Sequence, residues 1–400
     1  MPALSSSLIS PALEQLAGDP GSQLLPAGCP GLREYLLAVP DPRDPRGVRH
    51  SLASVLLASV AAVLAGARSL AAIGEWVADA PPGVLAALGV RFDPLAGRFR
   101  PPDEATIRRV LEAVDAAQLD AAVTSWLASA TAADGRRRVV AVDGKALRGT
   151  RHSAADGQAA HLLAAIDQQA LAVLAQTAVD GKTNEITRFA PLLAPLDLAG
   201  AVITADALHT QREHADYLVT SKKADYILIV KGNQPGLHAQ LRKLPWKTVP
   251  AAASHRNRGH GRQEHRTLQA VTVTACLAFP HAAQALRVTR RTRPLSGGTW
   301  KTITVYAITS LAFGQATPAD LASWIRGHWQ IEALHHIRDV TYAEDASQIR
   351  TRNGPRVMTA LRNLAITLFR RTGHRNIAAA CRRHARNAAR TLTTLGLSPS

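Results

Sequence analysis

The sequence predicts an α/β protein with a small helical domain in front and a β-rich insertion inside its sheet. Three observations carry this reading. Up to about residue 132, apolar residues recur at three- and four-residue spacing, as on one side of a helix. From residue 139 onward, short β-branched runs alternate with amphipathic stretches, the rhythm of strand–helix units. Between residues 234 and 318 that rhythm gives way to basic, Gly-punctuated, strand-like segments.

Residues 1–30, rich in Ser, Pro and Gly, read as a loose arm without the basic start and apolar run of a signal peptide. Residues 31–132 read as the helical domain, serving DNA binding or else dimerisation and packing. Its opening segment turns around Asp41 to Gly47, exposing Arg43, Arg46 and Arg49. Leu52 to Ala67 is uncharged but shorter than the roughly 20 residues a membrane span needs, which makes it a buried helix, joined to a second near Gly66. Pro102 and Asp103 start another helix with acids in its first turn, and Ile107, Val110, Leu111 and Val114 form its apolar side.

Residues 133–233 carry the first part of the sheet domain. Val139 to Val142 is a short strand ending at Asp143, and AVITADALHT is a second strand ending at Asp206. Between them, HLLAAIDQQALAVLAQTAV reads as two strands around a turn at Asp167 and Gln168, with helix as a competitor because of its Ala and Leu content. NEITRFAPLLAPLD reads as a short helix, Thr210 to Ala224 as another, and DYILIVKGNQ as a buried strand. In the insertion, residues 234–318, LRVTRRTRPLSGGTWKTITVYAITSL reads as two strands around a Gly-Gly turn. Helices resume at Pro318, capped by Thr317, through a C-terminal helical part at 319–376; a basic tail occupies 377–400.

The chain carries a formal net charge of +17, which favours a polyanionic partner without specifying a fold. Most of that charge is Arg, suited to bidentate phosphate contacts, although a GC-rich genome also favours Arg. Eleven Arg, no Lys and no acid lie between Ala346 and Ser400. Arg350, Arg352, Arg356 and Arg362 stand in this run, and Arg256, Arg258, Arg262 and Arg266 form a second patch. Either patch reads as a phosphate-contacting surface or as a solvated face. Cys29, Cys276 and Cys381 are far apart with no CxxC pair, which excludes a zinc ribbon and fits a reducing, cytoplasmic setting.

The chemistry falls to the acids. Asp143 and Asp206 each follow an apolar strand, where open α/β sheets bind ligands; the bland alternative is ordinary turn chemistry. The third acid comes from WIRGHWQIEALHHIRDVTYAED, Trp324 to Asp345. Read as one continuous helix from Ala319 to Arg338, it puts Trp324, His328, Glu332 and His336 on one side and Ile325, Trp329, Ala333 and Ile337 on an adjoining apolar stripe. Glu332 is then a buried carboxylate in need of a partner, which a cation shared with Asp143 and Asp206 supplies. No Walker motif and no HExxH occur, and the single ExxH at Glu332 and His335 falls short of a di-iron bundle.

Motifs in order along residues 32–375 then narrow the reading. AVDGKALRG, KTNEI, TADALHTQ, YILIVKGNQPGL, GHGRQEHR, WIRGHWQIEALHHIRDVTYAEDASQIR and LRNLAI, with PDPRDPRGVRH, LAGARSLAAIGEW and PDEATIRRVLE ahead of them, resemble bacterial insertion-sequence transposases of the ISAs1 family, H-repeat-associated members included. The resemblance implies a DDE transposase with a ribonuclease H-like catalytic core, whose catalytic and metal-holding acids are Asp143, Asp206 and Glu332. It implies Mg²⁺, with Mn²⁺ as a substitute, and cleavage of insertion-sequence ends followed by strand transfer. The expected partners are double-stranded DNA, as terminal inverted repeats and target, and further copies of the chain in a homodimer or higher oligomer. No membrane partner is expected, and localisation is cytoplasmic and nucleoid-associated. Lys145, Lys231, Arg326 and His328 join the two Arg patches as expected DNA contacts. The Tyr, Arg and Lys that flank the final acid in the broader IS4-like group are replaced here by Ile325, His328 and Asp339, so those roles do not carry over. The competing function is a noncatalytic DNA-binding derivative of such an enzyme.

Overall fold

The computed structural model describes residues 31–130, 137–153, 159–170, 172–179, 185–259, 261–273 and 277–397. The expected N-terminal arm, 1–30, lies outside the described residues.

A nine-stranded mixed sheet organises the molecule. Its strands are β1 (Val139–Leu147), β2 (Ala160–Asp167), β3 (Ala172–Val179), β4 (Val202–Ala205), β5 (Asp225–Val230), β6 (Ala253–Gly259), β7 (Arg262–Thr272), β8 (Gln284–Pro294) and β9 (Lys301–Thr309). The spatial order is β3-β2-β1-β4-β5-β9-β8-β7-β6. β1, β4 and β5 run parallel to one another, and every other pairing is antiparallel. The segment open to helix or strand is thus the hairpin β2–β3, which gains a full antiparallel ladder on β1. The insertion extends the same sheet, because β9 adds antiparallel to β5. Gly297 and Gly298, both at positive φ, make the turn between β8 and β9, a conformation that costs glycine little.

Side-chain alternation divides the sheet into two faces. Val140, Val142, Ile203, Ala205, Tyr226 and Leu228 point to one core, under the helices Glu185–Leu193 and Pro235–Lys243. Val139, Val202, Ile227, Leu268 and Leu286 point to the other, against Leu321 and Ile325. The second face is therefore the one that meets helix α10 (Pro318–His328), so numbered after the nine α-helices that precede it among the described residues. Its first turn is locked by a reciprocal capping box between Thr317 and Asp320 with Pro318 behind it.

The expected single helix from Ala319 to Arg338 is two. α10 ends at His328 and α11 spans Gln330–Val340. Trp329 sits between them at φ −71° and ψ −4°, and its N–H donates to the carbonyls of Arg326 and Gly327 rather than continuing the helical ladder. Two residues earlier α10 passes close to the sheet, where a Cβ on Gly327 would stand 2.0 Å from Oε1 of Gln168.

The helices of the two chain ends share one core. Leu52–Leu64 is buried on all sides, as expected of a helix apolar all round. Ser51 caps it by accepting from the N–H of Ser54. It packs against α12 (Gly354–Arg371) and the two short helices beyond, within a cluster that also takes in Ala141 and Ile166 from the sheet. No helix among the described residues is long and apolar enough to cross a membrane.

Candidate active site

Parallel pairing of β1 with β4 ends at Val142 opposite Ala205. The next residues on the two strands are Asp143 and Asp206. Adjacent strands lie about 4.8 Å apart, and two carboxylates one step past a matched pair project to the same face. That face is the one α10 covers, since Asp206 shares the alternation of Thr204, whose hydroxyl lies 3.1 Å from Nδ1 of His328. Gln168 donates to the same hydroxyl at 2.8 Å. Asp206 also opens the short 3₁₀ turn Ala207–His209.

Glu332 lies in the first turn of α11. It is solvent-exposed, not the buried carboxylate that an unbroken helix implies. Asp206 is its acidic neighbour. Asp143 feels both other carboxylates, and Glu332 feels Asp206. Asp143 is raised to about 7, first by burial and then by Glu332, Asp206 and Glu185, against a hydrogen bond from the Gly144 N–H. Glu332 is raised by burial of its inner portion and by Asp206. For Asp206 burial also favours the neutral form, but Lys231, whose Nζ lies 2.9 Å from Oδ1, outweighs it and the carboxyl is held low.

Around this triad stand His335, noted in the sequence only as half of an ExxH, and Glu185 with two histidines, which the sequence did not single out. Nδ1 of His335 is 3.9 Å from Asp143, and burial drives its pKa well down, leaving a neutral imidazole. Glu185 bridges His161 at 2.8 Å and His209 at 3.5 Å. Burial opposes its charge, yet the two imidazoles hold it at about 2. Gly144 admits this arrangement, since a Cβ there would come within 2.5 Å of both Glu185 and His161. The only sequence signal for Glu185 was its place in KTNEI.

The expected DNA contacts divide sharply. Arg256, Arg258 and Arg352 are exposed, and Lys231 is open with its side chain 58% accessible. Arg262 and Arg326 are half-buried. Arg350 donates to the carbonyl of Gly149 at 2.9 Å. Others are buried or half-buried and engage groups of the protein itself. Lys145 is buried and reaches both oxygens of Asp339 at 2.6 Å. His328 is buried beside Thr204. Arg362 is 1% exposed and bonds Glu344, which also takes Arg338. Arg356 pairs with Asp120 at 3.3 Å, and Arg266 pairs with Glu264 while lying over the ring of Trp329. The C-terminal Arg run contains no acid, but in space Asp120 reaches Arg356 and Glu344 reaches Arg362.

The donor set suits a hard divalent cation, being three carboxylates with oxygen ligands only, and mutual repulsion at Asp143 is the strain such a cation relieves. Among the described residues, however, no three His, Cys, Asp or Glu side chains converge to ligand spacing. Drawing Glu332 in and releasing Asp206 from Lys231 would have to accompany binding.

Two acids on adjacent parallel strands thus stand near a third on the first turn of α11. The chain matches the family of transposase DDE domains over residues 134–368, and the domain associated with it over residues 33–127. It belongs to that family. It is 30% identical over 366 residues to the protein named “Putative transposase YncI” of Escherichia coli O157:H7, covering 85% of this chain and 87% of that one. It is 29% identical over 373 residues to the “H repeat-associated putative transposase YhhI” of Escherichia coli strain K12, covering 90% and 94%. A piggyBac transposase synaptic complex with hairpin DNA aligns over 96% of this chain and 80% of its own, at 11% identity and a TM-score of 0.41.

Proposed function

We propose that the protein is a metal-dependent DNA transposase that cuts insertion-sequence ends and joins them to target DNA by phosphoryl transfer, with Asp143, Asp206 and Glu332 as its catalytic acids. The observation that carries this is the register of β1 and β4, which brings the two aspartates side by side where the parallel pairing stops, with Glu332 approaching from α11. The strand order β3-β2-β1-β4-β5, with the first three antiparallel and the last two parallel to β1, supports a ribonuclease H-like core.

Bound at these acids, Mg²⁺ or Mn²⁺ would activate an attacking water or 3′-hydroxyl and stabilise the leaving oxygen. The chain's own part is positional. The sheet fixes Asp143 and Asp206, and α11 supplies Glu332. His335, neutral beside Asp143, adds no charge to compete with a cation. Lys231 neutralises Asp206 while no cation is present and is then free for phosphate. Exposed arginines, Arg256, Arg258 and Arg352 among them, supply salt-dependent backbone affinity. DNA is the proposed partner, as terminal repeats and target, in a dimer or larger assembly in the cytoplasm.

The test is cleavage of DNA carrying the element's terminal repeats, with and without Mg²⁺, by the protein and by its Asp143→Asn, Asp206→Asn and Glu332→Gln variants. Loss of cutting with retained binding supports the assignment. Cutting by a folded Glu332→Gln protein at the parent rate would sink it. Binding without cutting by the parent protein points to the noncatalytic derivative.

A further inference from the structure

The four strands added by the insertion carry two faces of opposite character. On the face toward α10, Glu264, the sole acid in these strands, takes Arg266 at 2.5 Å and Arg290 at 2.8 Å. Below that pair, Leu268, Val288 and Val305 pack with Leu321 and Ile325. This face is complete: its charges are paired and its apolar residues covered.

The other face is not. Register places Arg258, Gln263 and Arg293 in one row across β6, β7 and β8, and Arg256, His265 and Arg291 in the next. A row of hydroxyls follows, Ser254, Thr267, Thr289 and Thr304. No position in these rows is acidic. Arg256, Arg258 and Arg291 are exposed, as is Thr304. Trp300 lies at the same end, with the guanidiniums of Arg291 and Arg293 over its ring at 5.2 and 4.9 Å. Nearer the core the face closes, where Arg287 lies over Trp246.

A sheet stabilised for its own sake does not gather like charges across neighbouring strands, where they destabilise. The same strands supply a carboxylate for the arginines of the covered face and none for those of the open one. Rows repeat about every 6.7 Å along the strands and arginines two strands apart lie about 9.6 Å from each other, a spread of point charges rather than one pocket. Trp300, the ring at this end of the face, is capped by arginines, which removes it as a stacking platform for a single strand. Hydroxyls beside the arginines add the neutral donors that commonly reach phosphate oxygens.

We propose that this open face, centred on Arg256, Arg258, Arg291 and Arg293, docks the phosphate backbone of double-stranded DNA. Alternation puts it on the side of the sheet opposite Asp143, so the duplex segment it holds is other than the one reaching the carboxylates. The inference rests on the transposase reading for the identity of the polyanion and deepens it by adding a second DNA surface, one that includes Arg291 and Arg293.

The test is the salt dependence of binding of the full chain to a blunt duplex of unrelated sequence, followed by fluorescence anisotropy. Each phosphate contact contributes about 0.9 to the slope of log K against log salt, so Gln at all four positions flattens it by about 3 to 4 units and Lys at all four restores it. The Arg291→Gln/Arg293→Gln double variant, a milder change to folding, flattens it by about 1.8. An unchanged slope in a double variant with the parent melting temperature overturns the proposal. A larger loss for an RNA hairpin than for duplex DNA overturns the choice of partner. If the slope flattens while the parent protein never cuts terminal-repeat DNA, the surface stands and the catalytic assignment fails instead.

Discussion

Replacing Glu344 by Gln tests whether the Arg-rich C-terminal region is held by buried charge. Glu344 is 3% exposed. It accepts from Nε and Nη2 of Arg338 at 2.7 and 2.5 Å, from Nη1 of Arg362 at 3.1 Å and from the Thr359 hydroxyl at 3.0 Å. Both guanidiniums are 1% exposed. The Gln side chain keeps the size and removes the only negative partner shown for either, leaving two uncompensated buried cations. Breaking a buried pair in this way costs about 3–5 kcal/mol. Burial opposes ionisation of Glu344, but the two arginines hold its pKa below the ordinary glutamate value. A depressed folded value means the stabilisation is complete above the unfolded pKa of about 4.3 and is lost as pH falls through the folded pKa. Urea unfolding followed by circular dichroism at pH 7 should therefore show the full deficit, and the gap between parent and variant should narrow on acidification. A deficit under about 1 kcal/mol at pH 7, or a gap that stays constant into acid, would refute the reasoning.

Asp143 has the opposite linkage. Its raised value of about 7 means the ionised group opposes folding increasingly as pH rises from the unfolded pKa toward 7. Without divalent cations, Asp143→Asn should melt higher than the parent at pH 8 and equally at pH 4, as thermal unfolding would show; added Mg²⁺ should raise the parent's melting temperature and not the variant's. Gly327→Ala forces a methyl against Gln168, with a cost of about 1–3 kcal/mol. Trimming the obstacle in a Gly327→Ala/Gln168→Ala protein should recover part of that loss in the same melt, and no recovery would place the strain elsewhere. Lys231→Met should raise the Asp206 pKa toward and above the ordinary carboxylate value, visible by NMR titration of the cation-free protein; an unmoved value would remove Lys231 as the neutralising group.

The sheet was legible wherever composition and periodicity agreed. Val139 to Val142 and AVITA announced the parallel strands, and the second stops at its acid, but the first runs on past Asp143 to Leu147, held by its antiparallel ladder with β2. The Gly-Gly turn of the insertion was equally plain. The break at Trp329 was not, because the four-residue spacing of Ile325, Trp329, Ala333 and Ile337 is the same for one helix as for two. The close contact beside it, Gly327 against Gln168, joins residues more than 150 apart in the chain. The Arg run misled for a related reason. A one-dimensional reading finds no acid near Arg356 or Arg362, while folding brings Asp120 and Glu344 to them. Conversely the basic face of β8 was present in the alternation of Arg287, Arg291 and Arg293, but only register with Arg256 and Arg258 shows that these share a side.

The registration of β1 with β4 has a mechanical consequence. The gap between Asp143 and Asp206 is set by the hydrogen-bonded spacing of two sheet strands, so it resists change unless the ladder itself opens. Glu332 hangs on a short helix joined to α10 through a single bent residue, and helix movements of an ångström or two are among the ordinary rearrangements of packed proteins. The site is thus built like a vice with one jaw machined into the frame and the other on a slide. Substitutions at Trp329 or in the Gln168–Thr204–His328 contacts would shift the sliding jaw while leaving the spacing of the fixed pair untouched.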